Sequence, residues 1–108
     1  MISRADFVFT IGYEGNTAVV DGTLKRRYSS LSSEQLAEKG MYKQALCSAV
    51  YELAGQAGKG RERGEEALQR VLEIYNRSAA RKVGSVEELK RIFGVFEVPE
   101  GVGKVTVV

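Results

Sequence analysis

Histidine is absent from this sequence, and that absence removes more chemistry than any other compositional feature. It takes away the commonest general base near neutral pH, the commonest metal ligand and every Ser-His or Cys-His nucleophilic pair. One cysteine, Cys47, is the whole thiol complement. One chain therefore cannot form an internal disulfide or assemble the usual zinc ligand set. No cofactor or metal site is expected. Catalysis is disfavoured, though carboxylates, lysines and tyrosines leave it open.

Tryptophan is also missing, aromatics make up 8% of the chain, and Pro99 is its one proline. A core built on so few rings must be mostly Leu, Val, Ile and Ala. No apolar run reaches the roughly 18–20 residues of a membrane span, and the N-terminal stretch lacks the apolar segment of a secretory signal. With a lone thiol suited to a reducing compartment, a cytoplasmic protein without membrane attachment is expected. Charge of one sign is lacking too: 16 basic and 14 acidic side chains leave +2, which neither demands nor forbids a polyanionic partner.

What is present is ordinary globular composition, 44% hydrophobic and 28% charged over 108 residues. This predicts one domain, residues 1–108. Residues 7–13 alternate Phe7, Phe9, Ile11, Tyr13 against Val8, Thr10, Gly12, the period of a half-buried strand. Gly15-Asn16 follows as a two-residue hairpin loop. The register this implies sets Glu14 opposite Thr17, Tyr13 opposite Ala18, Ile11 opposite Val20 and Phe9 opposite Gly22. The glycines of "GYEGNTAVVDG" thus serve a hairpin, Gly15 in its turn and Gly22 opposite Phe9, rather than a ligand. A phosphate loop would need a helix after them and a different spacing.

Ser32 with Gln35 forms a capping box, and Leu31 with Leu36 a staple, for a helix over 33–39. Gly40 at C′ with Met41 at C″ matches a Schellman stop. A longer helix over about 42–55 follows, with a single kinked helix as the alternative. "GQAGKGRERG" at 55–64 reads as an exposed connector. Ala67, Leu68, Val71, Leu72 and Tyr75 then mark an amphipathic helix over about 62–82. Ser85, with Glu88 as its box partner, opens another that ends at Gly94. "VFEVPEGVGKVTVV" reads as strand, turn and valine-rich strand. The fold class expected is α+β: an N-terminal β-hairpin plus C-terminal strand or strands, forming a small antiparallel or mixed sheet against three to four helices.

Several segments could carry function. Lys25-Arg26-Arg27 has no acid within three residues and Tyr28 beside it. Lys59, Arg61 and Arg63 follow a G-x-x-G at 55–58, the loop pattern by which KH domains clamp a nucleic-acid backbone. Together these make a candidate anion or nucleic-acid contact. Residues 62–108 could also mimic a winged helix-turn-helix, although Glu87 and Glu88 would repel DNA at the reading helix. The glutamate pairs at 65–66 and 87–88, and Glu97, show no converging spacing. Helix-start glutamates are explained by the macrodipole.

The function expected is a non-enzymatic interaction module, binding a protein partner or itself. The basis is the missing catalytic residues and a terminal "KVTVV" strand able to pair at a sheet edge as a homo-oligomer. The alternative is a nucleic-acid-binding domain using Lys25–Arg27 and Lys59–Arg63.

Overall fold

The computed structural model describes residues 2–55 and 59–108, and the side chains of these except at 55 and 59–61. The elements run α1 (Arg4–Val8), β1 (Thr10–Glu14), β2 (Thr17–Asp21), α2 (Gly22–Tyr28), α3 (Ser33–Glu38), α4 (Tyr42–Gly55), α5 (Lys59–Ser78), α6 (Val86–Phe93) and β3 (Gly103–Val107). The fold is α+β, with a three-stranded mixed sheet in the order β1-β2-β3. β1 and β2 form an antiparallel hairpin, and β3 returns parallel to β2. A parallel return needs a crossover connection, and here all the intervening helices supply it.

The hairpin turn is where sequence reading placed it, with Glu14 opposite Thr17 and Tyr13 opposite Ala18. Gly15 has φ 58°, and among the described residues none other than glycine has positive φ. Only the first loop position is therefore left-handed, the pattern of a type II′ turn. Beyond Gly12 the expected register fails. A bulge lies between Thr10 and Gly12, so that Thr10 rather than Ile11 faces Val20. A one-residue offset exchanges faces, and Ile11 is turned into solvent at 56% exposure.

Residues 4–8 are helical, which corrects the strand expected from 7 onward. Ser3 caps this turn: its hydroxyl accepts from the Asp6 amide, and Phe7 N–H donates to the Ser3 carbonyl. A bonded cap outweighs a short run of strand-favouring residues. Phe7, Val8 and Phe9 are all buried, because the helical turn directs them to the core rather than to alternate faces. The second strand likewise stops early. Asp21 caps α2 by accepting from Leu24 N–H.

The remaining helices fit their signals more closely. The Ser32–Gln35 box is closed in both directions. Gly40 has φ 78°, and Gly40 and Met41 donate to the carbonyls of Ala37 and Leu36, the two bonds of a Schellman stop. Two helices, α3 and α4, therefore stand in place of one kinked helix. At the other end of α4, residues 59–64 belong to α5, not to a connector. Gly64 is needed there: a Cβ on it would fall 2.6 Å from Leu53 Cα, so α4 and α5 need its bare backbone to approach. The G-x-x-G pattern expected to form a loop at 55–58 falls on 56–58, outside the described residues.

The core joins α1, the inner face of β2 and the helices. Ala18, Val20, Leu36, Ala45, Leu46, Ala49, Val71 and Leu89 are fully buried. Tyr42, Tyr75 and Phe93 tie α4, α5 and α6 together, their ring centroids 5.0–5.9 Å apart. Residues 95–102 form no strand. The C-terminal hairpin and the wing of a helix-turn-helix are thus absent, because β3 takes its partner from β2 instead. With α1 and α2 the described residues hold six helices rather than three or four.

Candidate functional site

The three strands give the sheet two unlike faces. Register sets Thr10, Tyr13, Ala18, Val20, Lys104 and Thr106 on one side, toward α1 and the core. Val19, Val105, Asp21 and Val107 lie on the other, with Ile11 beside them at the bulge. Among the described residues no helix covers this outer face at Ile11 or along β3. Val105 and Val107 are 45% and 41% exposed. Solvated faces of antiparallel hairpins usually alternate to polar side chains; this one presents aliphatic ones.

β3 is also a sheet edge, since β2 is its one strand neighbour among the described residues. Natural edges are commonly blunted by lysine pointing into solvent. The lysine of β3 does not serve there. Lys104 Nζ turns to the inner side and lies 2.9 Å from Asp6 Oδ2.

Asp6 is a buried carboxylate held by three donors. Lys25 Nζ stands 2.7 Å from Oδ1, and Ser3 Oγ donates to Oδ2 at 2.8 Å. Burial pushes its pKa up, yet the hydrogen bonds from Lys25, Lys104 and Ser3 outweigh that and bring it down to about 2. The same pairing raises the pKa of Lys104. One carboxylate thus ties α1, α2 and β3 at one point. Close by, Gly22 lets α2 start against the strand: a Cβ there would meet Thr106 Cγ2 at 2.8 Å and the Val107 carbonyl at 2.9 Å. Arg4 makes a second tie, donating to the carbonyls of Ser29 and Leu31 and to Ser48 Oγ.

These contacts redistribute the basic residues singled out from sequence. Lys25 looked free because no acid lies near it in the chain, but its partner is nineteen residues away. Arg26 and Arg27 remain exposed on the last turn of α2, with the Arg27 guanidinium 5.9 Å from the Tyr28 ring centroid. Arg63 is exposed in a groove that also holds Glu34, Glu52, Glu66 and Arg70. The side chains of Lys59 and Arg61 are outside the described residues. Further along, Arg70 pairs with Glu34 and Glu73, Arg77 pairs with Glu38, and Lys82 donates to the Asn76 carbonyl.

Among the described residues no group of three or more His, Cys, Asp or Glu side chains could hold a metal ion. No helix among them is long and apolar enough to cross a membrane. Sequence reasoning missed the outer apolar face, because it assigned Ile11 to the core. The signal available was the alternation in "KVTVV", which places Val105 and Val107 on one side whichever way the strand faces. No family model, no curated protein and no solved structure matches this chain, so a functional reading rests on its own geometry.

Proposed function

We propose that the chain is a non-enzymatic interaction module that associates through the outer face and free edge of its sheet, with a second copy of itself as the partner. The observation that carries this reading is the line of Ile11, Val19, Val105 and Val107 on an uncovered face beside an edge strand whose lysine points inward. Contiguous exposed apolar surface of this kind marks interaction sites in soluble domains. Two β3 strands related by a twofold axis pair antiparallel, continue the sheet across the interface and bring equivalent valines together.

Sedimentation equilibrium tests the reading. A dimer mass at about 100 μM, falling toward monomer on dilution, is expected, since association follows mass action. A monomer mass throughout that range rules out self-association.

A second reading keeps Arg26 and Arg27, exposed and without a carboxylate partner among the described residues, as a nucleic-acid contact. Phosphate binding of this sort weakens steeply with salt. Titration of a fluorescent single-stranded oligonucleotide at about 50 mM salt, with and without Arg26→Gln and Arg27→Gln, decides it. Equal or absent binding excludes it.

A further inference from the structure

On the opposite side of β1 from the apolar face lies a cavity of about 390 Å³, within the roughly 300–1,000 Å³ of small-molecule sites. Three separate parts of the chain build it. The inner side of β1 supplies Tyr13, the first two turns of α4 supply Lys43 and Cys47, and the irregular segment 94–102 supplies Val95 and Phe96. Its walls are predominantly apolar. Phe96, a large apolar ring, stands 72% exposed at the lining, where a bound body would cover it.

The polar groups that point to a ligand are donors. Lys43 is half-buried, with no ion pair or hydrogen bond among the described contacts. The Tyr13 hydroxyl has no hydrogen-bond partner among those contacts either. Lys43 and Cys47 stand one turn apart on α4. Burial pushes the Cys47 thiol up to about 11, so it is neutral near pH 7 and places no competing anion beside Lys43. Burial also raises Tyr13, keeping its hydroxyl a donor. The opposing charge is Glu97, which is exposed at the lining and screened by water. Thr10 lines the cavity as well, but its hydroxyl is already spent on the Asp6 carbonyl.

We infer that this cavity binds a small organic anion: an aromatic or aliphatic body against Val95 and Phe96, with its carboxylate or sulfonate on Lys43. The site is on the other face of the sheet from the proposed self-association surface and does not depend on it.

Anilinonaphthalene sulfonate is a suitable probe, with its uncharged analogue phenylnaphthylamine as the control for the anionic end. Isothermal titration is expected to give one saturable sulfonate site per chain. Lys43→Met should weaken it about tenfold, the scale of one charge-assisted hydrogen bond. Glu97→Gln should tighten it, and phenylnaphthylamine should bind like the Lys43→Met case. Val105→Lys should leave it unchanged. Comparing the two probes on the wild-type chain needs no variant to fold. Equal affinity of wild type for the two probes, equal sulfonate affinity for wild type and Lys43→Met, or loss of binding in Val105→Lys would each overturn the assignment.

Discussion

The two faces of the sheet are made from the same five-residue strands and differ in what packs against them at β2, while β3 is exposed on both. Inside, Ala18 and Val20 are fully buried, and Asp6 draws Lys25 and Lys104 to one point. Outside, Ile11, Val105 and Val107 are as apolar as the inner residues and yet lie in solvent. Hydrophobic stabilisation scales with the apolar area removed from water. The inner residues therefore hold the fold, while the outer ones contribute little to the single chain. Retaining aliphatic side chains where they do not stabilise the monomer is what an association surface requires.

The comparison is broken most severely from the inside. Phe9, 1% exposed, ends α1 and leads into β1. Phe9→Ala should cost about 3–5 kcal/mol, a large part of the roughly 5–15 kcal/mol available to such a domain. Urea denaturation measures it, and a midpoint near wild type would show that this side is not the structural one.

Asp6 comes next. Asp6→Asn leaves Lys25 and Lys104 facing a neutral amide and should cost about 2 kcal/mol, less than a fully buried pair because both lysines keep some water. The pH dependence carries a definite sign. The folded pKa, about 2, is below the ordinary carboxylate value. The native state thus holds fewer protons than the unfolded chain across that interval. The contribution of Asp6 is complete above about pH 4 and is lost as pH falls toward 2. Thermal melts between those values should show this slope in wild type and a shallower one in Asp6→Asn.

Many of the elements are legible in the sequence, the contrast between the two faces is not, and the difference has a physical cause. Local signals held wherever the partners are local: the turn at Gly15, the Ser32–Gln35 box, the stop at Gly40 and the Ser85 cap. At Ser85 even so, the Glu88 carboxylate accepts from Gly84 N–H at 3.3 Å, one residue before the expected donor, the Ser85 N–H. Phe7 and Phe9 are a local miss: their alternation reads as strand, whereas the Ser3 cap starts a helix at Arg4 and keeps both out of β1. The other errors lie where a distant contact decides. The glycines of 55–64 read as an exposed connector, yet residues 59–64 are helical and Gly64 admits Leu53. Lys25 passed for a free cation because Asp6 is remote in sequence. The cavity is the extreme case, since Tyr13, Lys43 and Phe96 share no local pattern and meet only once the chain has folded.

Gly22 offers a subtler disturbance, because it lies on the inner side but acts on β3. Gly22→Ala favours helix α2 by propensity, yet its Cβ has no room beside Thr106 and the Val107 carbonyl. Overpacking should win, at about 1–2 kcal/mol. The loss should be local: amide exchange in β3 should speed up more than exchange in α4. Thr106→Ser, which removes the crowding methyl, should restore part of it.

The smallest effect on the folded chain should accompany the largest effect on assembly. Val105 faces Val19 across the β2–β3 ladder and is 45% exposed, so Val105→Lys adds a charge where water already reaches. Its cost to the monomer should stay within about 0.5 kcal/mol. In a twofold β3–β3 pairing the same substitution places two ammonium groups in one apolar patch, and like charges set together there oppose association. Sedimentation should then give a monomer at concentrations where wild type is a dimer, with the melting temperature almost unmoved when both are measured dilute. If Val105→Lys instead lowers stability as much as an inner-face substitution, the outer valines are part of the core's support and the difference between the two faces disappears. If stability and mass both stay at the wild-type values, the face is inert and association, if any, uses another surface.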